Sequence, residues 1–147
     1  MRAWATAWWL LLGLCVTPPA WAQVHLGGGW ADSIEGEGAE MASLAWVSAQ
    51  RHPWEVMAGY IGEREGAHVP DAVFFAVSKR LVWRRWFASG GVAWVSEDNH
   101  VLSGHGQFLT GAGYTFGRTS LSLRHLSNAD TGGRNRGETF VLLEVGF

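Results

Sequence analysis

Cysteine is nearly absent from this chain: one residue in 147, Cys15, close to the N-terminus. A disulfide framework is therefore excluded. An excess of basic charge is lacking too, since 11 Lys and Arg face 13 Asp and Glu for a formal net charge of −2. That argues against a nucleic-acid binder, which needs positive charge to neutralise phosphates. Beyond the N-terminal segment no apolar run reaches about 18 residues, so no helix is expected to span a membrane. Charged residues make up only 16% of the chain, and with 48% hydrophobic residues it is too apolar for disorder. The length suits a single domain. What is abundant is glycine and tryptophan, 20 and 10 residues.

Met1 to Ala22 reads as a secretory signal peptide. Arg2 supplies the positive start, Trp8 to Leu14 the apolar stretch, and Ala20-Trp21-Ala22 the small-x-small cleavage site. Pro18-Pro19 would break an anchoring helix. Leu14 stands where lipidation of Cys15 would want a small residue. Cleavage after Ala22 leaves an exported domain, 23–147, without a thiol.

That domain shows no helical stripe. What recurs is a segment of about 9–11 residues with period-2 alternation, followed by a polar or glycine-bearing gap. Such segments occupy 23–32, 39–49, 53–63, 70–79, 85–96, 105–116, 119–129 and 138–147. Eight strands that consume nearly the whole domain predict an all-β fold, an eight-stranded antiparallel transmembrane β-barrel. The gaps Ser33–Gly38, Arg64–Val69, Glu97–Gly104 and Asp130–Gly137 are assigned to the extracellular side. Gln50–His52, Arg80–Arg84 and Gly117–Arg118 are assigned to the periplasmic side. In the last segment Thr139, Val141, Leu143, Val145 and Phe147 share one face, and Glu144 on the other suits a polar lumen. A terminal aromatic after alternating apolar residues looks like the strand that outer-membrane assembly recognises. The competing architecture, a soluble barrel of the lipocalin kind, would be apolar inside and polar outside.

The seventh segment is the most pointed. Period 2 puts Thr119, Leu121, Leu123, His125 and Ser127 on one face, and Ser120, Ser122, Arg124, Leu126 and Asn128 on the other. If the leucine face meets lipid, Arg124 lies in the lumen, and His125 and Ser127 face the bilayer near the extracellular end. Two residues apart on a pleated strand, their Cβ atoms are roughly 6–7 Å apart, so imidazole and hydroxyl can meet as base and nucleophile. The plain alternative is two polar residues at a membrane interface. Against the outer leaflet, such a pair would have the acyl esters of lipopolysaccharide as a natural substrate.

Arg124-His125-Leu126-Ser127-Asn128-Ala129, followed by Gly133-Arg134-Asn135-Arg136-Gly137-Glu138 and a terminal strand, resembles the end of the PagL-type lipid A 3-O-deacylases. The runs Pro53-Trp54-Glu55, Gly59 to Glu63 and Phe108 to Tyr114 are also similar to that family. The resemblance implies an outer-membrane barrel with its active site facing the outer leaflet. It would be a serine carboxylic-ester hydrolase that takes lipid A as substrate, sits among outer-membrane lipids and needs no cofactor. It implies Ser127 as nucleophile, His125 as general base and Glu138 as the acid on His125. Asn135, with backbone N–H near Asp130, would form the oxyanion hole. Asn128 would brace the loop, and Phe108 matches an aromatic position of the family. Strict alternation aims Glu138 inward, so it would need an irregular strand start to face His125; Asp130 is the substitute acid.

Arg134 and Arg136 suit the phosphates of lipid A, or else merely solvate their loop. His25, His52, His68, His100 and His105 show no metal-ligand spacing, so no metal is expected. Two other functions compete: a non-catalytic OmpX-like structural barrel, and an acyltransferase of the PagP kind. Oligomeric state is left open, with a homodimer among the options.

Overall fold

Alternating side chains need an extended backbone, and the chain provides it eight times. The computed structural model describes residues 22–131 and 136–147. The signal-peptide reading therefore lies almost wholly outside the described residues. The strands are β1 (Gln23–Ile34), β2 (Glu37–Val47), β3 (Trp54–Ile61), β4 (Ala72–Trp83), β5 (Trp86–Val95), β6 (Gly106–Phe116), β7 (Thr119–Ser127) and β8 (Glu138–Gly146). Each pairs antiparallel with the next, and β8 pairs with β1 from Ala31↔Phe140 to His25↔Gly146, closing a barrel. The Phe147 N–H donates to the Val24 carbonyl at 2.9 Å, so pairing continues to the last residue. Closure leaves no strand edge unpaired.

Two connections are tighter than the sequence suggests. The gap expected over Arg80–Arg84 is strand: β4 continues to Trp83, which pairs with Trp86, and only Arg84–Arg85 turns. Alternation persists there because Arg80 is buried inside the barrel while Leu81 and Trp83 are exposed outside. The first gap, Ser33–Gly38, shrinks to Glu35–Gly36. Both residues have positive φ, +51° and +89°, the left-handed pair that a two-residue hairpin requires. The longer connections 62–71 and 96–105 lie at the same end as this hairpin, as do Asn128 after β7 and Gly137 before β8.

Burial is inverted relative to a soluble barrel. Leu26, Leu44, Phe75, Val77, Leu121, Leu123, Val141 and Leu143 are exposed on the outer wall. All six tryptophans of the domain (30, 46, 54, 83, 86 and 94) are exposed as well. Charge lies inside. Glu55 accepts hydrogen bonds from Arg80 and Arg124, and Arg124 reaches Glu144 at 3.2 Å. None of these four side chains is more than 5% exposed. Buried ions of this kind are tolerated only in pairs. Met57, Phe74, Leu109, Leu126, Phe140 and Leu142 fill the rest of the interior, so this barrel has a packed core. An apolar outer wall around paired charges fits a lipid solvent.

Candidate active site

The motif of the seventh segment stands where alternation predicts. Along β7, Ser122, Arg124 and Leu126 are buried inside, and Leu121, Leu123, His125 and Ser127 face outward. His125 and Ser127 are half-buried on the outer wall, at the loop end. Across the ladder, Phe108 of β6 stands opposite Ser127, and Thr110 opposite His125. On the other side Thr139 of β8 is opposite His125. Imidazole Nδ1 lies 2.8 Å from Thr139 Oγ1. A hydroxyl can accept the Nδ1–H of a neutral imidazole, which leaves Nε2 with its lone pair.

Gly137 fixes the opposite edge of the ring. Its φ is +76°, and a Cβ built there would lie 2.7 Å from His125 Nε2 and 2.6 Å from Cε1. Glu138 pairs with Leu126, so residue 137 is level with Ser127. The Nε2–Cε1 edge of the imidazole thus lies against the backbone of residue 137, which is level with Ser127 in the ladder. The imidazole is bracketed, hydroxyl at one edge and bare backbone at the other.

Glu138 departs from its expected role. It begins β8 in register, with no irregularity to turn it, and its carboxylate lies inside the barrel. There Arg64 binds both oxygens, at 2.6 and 3.3 Å, and also donates to the Asp32 carbonyl at 2.8 Å. Period 2 has kept the acid on the face opposite His125. Asp130, the substitute acid, is exposed, and the Nδ1 position meant for either acid is taken by Thr139. The Asp130 N–H, expected as an oxyanion donor, donates instead to Asn128 Oδ1 at 2.8 Å. The Ala129 N–H points to Ser127 Oγ at 3.1 Å. Ala129 and Asp130 both hold positive φ, +50° and +60°, so the turn after Ser127 is strained. Asn135 and Arg134 lie outside the described residues. Arg136 pairs with Asp32 at 3.1 Å on the rim.

Asn128 braces this turn. It is buried, and its Nδ2 donates to the Ser103 carbonyl at 2.6 Å. The loop 96–105 is a platform that the sequence did not reveal as part of the site. Val101 and Leu102 are buried, their N–H groups both held by Asn99 Oδ1 at 2.9 Å, and the Gly137 N–H donates to the Val101 carbonyl at 2.9 Å. Two adjacent apolar residues inside a polar gap were the available signal. Beside Thr139 a groove of about 450 Å³ opens on the outer wall, lined by Trp30, Asp32, Leu123 and Val141 among others. Among the described residues no group of three or more His, Cys, Asp or Glu gathers to hold a metal.

A family model described as "PagL: Lipid A 3-O-deacylase (PagL)" matches residues 23–147. Among solved structures, "Crystal structure of the outer membrane enzyme PagL" aligns with a TM-score of 0.59 at 17% sequence identity. The alignment covers 86% of this chain and 99% of that one. At that identity the likeness shows a shared fold. No curated protein sequence matches significantly.

Proposed function

The chain belongs to the PagL lipid A 3-O-deacylase family, and on that premise we propose that Ser127 and His125 are the nucleophile and base with which it removes the ester-linked 3-O-acyl chain of lipid A. Nε2 of His125 takes the Ser127 proton as Oγ attacks the ester carbonyl. The imidazolium returns that proton to the departing sugar oxygen, leaving an acyl-serine. Water, deprotonated by the same imidazole, then releases the fatty acid and restores the hydroxyl. The observation that carries this reading is the half-buried imidazole and hydroxyl that share the outer face at the loop end of β7, with Nδ1 already engaged.

The apolar wall supports residence in the outer membrane, and the position of the pair at the loop end supports an orientation toward the outer leaflet, where lipid A lies. Phe108, exposed beside Ser127, offers an acyl chain an apolar contact. Asn135 is the proposed side-chain donor to the oxyanion. Ala129, whose N–H lies near Ser127 Oγ, is better placed for the backbone donor than Asp130. Arg134 and Arg136 are proposed to meet the phosphates.

Expression of the wild type and of Ser127→Ala in a Gram-negative host, with lipid A read by mass spectrometry, tests the assignment. Wild type should remove one hydroxyacyl chain and the variant none. The same lipid A mass with either protein would refute it, and a gain of mass would point to acyl transfer.

A further inference from the structure

We propose that the hydroxyl of Thr139, in place of a carboxylate, is the group that orients His125. This deepens the reading above and rests on it. Three observations on β7 and β8 converge. Thr139 stands directly opposite His125 in the ladder, with Oγ1 2.8 Å from Nδ1. The neighbouring acid, Glu138, is committed to the interior, where Arg64 binds both carboxylate oxygens. It cannot exchange places with Thr139 by a register slip, because a one-residue shift would turn Val141 and Leu143 inward and carry Glu144 out to lipid. The glycine backbone of residue 137 lies along the Nε2–Cε1 edge, and the Thr139 hydroxyl is the polar contact at Nδ1.

A neutral hydroxyl does part of what a carboxylate does in a serine–histidine–acid triad. By accepting a hydrogen bond from Nδ1–H it keeps the basic lone pair on Nε2 and fixes the ring plane. It brings no negative charge to offset the imidazolium as the serine proton is transferred. Thr139 is thus a positioning residue that acts through His125. Its loss should slow the chemical step without weakening substrate binding.

The test compares Thr139→Val, Thr139→Ser and Ser127→Ala in the full barrel, refolded in detergent, with hydrolysis of purified lipid A followed at several substrate concentrations. Heat-modifiable gel migration identifies the folded fraction, to which each rate is normalised. Thr139→Val should lower kcat roughly 10- to 100-fold, the effect of one hydrogen bond to a group that becomes charged, with KM unchanged. Thr139→Ser, which keeps the hydroxyl, should retain most of the wild-type kcat. If the valine variant does not fold, Thr139→Ala is read in its place. Wild-type kcat without the hydroxyl, or a change confined to KM, overturns the proposal. So does a Glu138→Gln barrel that loses kcat while the valine variant does not. In each of those cases an inactive Ser127→Ala leaves the serine mechanism standing, whereas an active one removes the mechanism itself.

Discussion

Gly137→Ala is the sharpest perturbation available at this site, because it adds one carbon and removes no functional group. The first cost is conformational. At φ +76° an L-residue enters the left-handed region, at about 1–2 kcal/mol. The second cost is steric and directional. The new Cβ would lie 2.6 Å from the Leu126 carbonyl oxygen, 2.6 Å from His125 Cε1 and 2.7 Å from Nε2. Ordinary carbon contacts begin near 3.5 Å, so roughly 0.8 Å must be found on the ring side. The Leu126 carbonyl belongs to the β7 backbone and yields little, which leaves the imidazole to move. Displacement of a catalytic group by about 1 Å costs on the order of 100-fold in rate. We therefore expect kcat on lipid A to fall by about that factor in barrels that still fold, with a modest loss of stability. Release of hydroxy fatty acid per folded barrel measures it. A Gly137→Ala enzyme with wild-type kcat would refute the argument, since the imidazole could not then stand against the backbone of residue 137.

Two further outcomes follow from the same geometry. Arg64→Met strands the buried Glu138 carboxylate and should cost about 3–5 kcal/mol, whereas Arg64→Met combined with Glu138→Met, which removes both charges, should cost far less. Urea unfolding of the lipid-embedded barrel measures both, and equal losses in the two would argue against an energetically coupled pair. Leu123→Arg, on the outer wall two residues from His125, should destabilise the barrel by about 2–4 kcal/mol if it lies near the bilayer midplane and less toward the interface. An unchanged unfolding midpoint in vesicles, beside full stability in detergent, would mean that this wall does not meet lipid.

The barrel was legible because its signal is repeated eight times and each repeat constrains the same two faces. Leu121 and Leu123 outside with Ser122 and Arg124 inside is one instance, and Val141 and Leu143 outside with Glu144 inside is another. Where the expectation failed, local polarity had been read as a break in the strand. Arg80 looks like a turn residue until it is seen to pair inside with Glu55, so the hairpin comes at Arg84–Arg85. Ser33–Gly38 looks like a loop because it is polar. Yet Glu35 and Gly36 alone make the turn, and Ile34 is buried. A charge on a barrel strand has two acceptable destinations, a paired lumen site or the water at the rim. Composition cannot choose between them.

The site was legible only as far as one strand carries it. His125 and Ser127 share a strand, and period 2 alone puts them on one face. What surrounds them comes from far along the chain. Arg64 reaches across 74 positions to claim Glu138, and the platform under Gly137 and Asn128 is a loop about 25 to 36 residues upstream. The acid shows why a motif transfers poorly in a β-protein. Matching residue types along a sequence can place an acid to within one position, and in a helix such an error moves a side chain part of the way round the axis. In a strand it reverses the face. Glu138 and Thr139 are neighbours in the chain, but one is sealed in the lumen with an arginine and the other bonds the imidazole. The alternation that located the histidine and serine also excludes the residue beside them, and it selects the threonine opposite the ring.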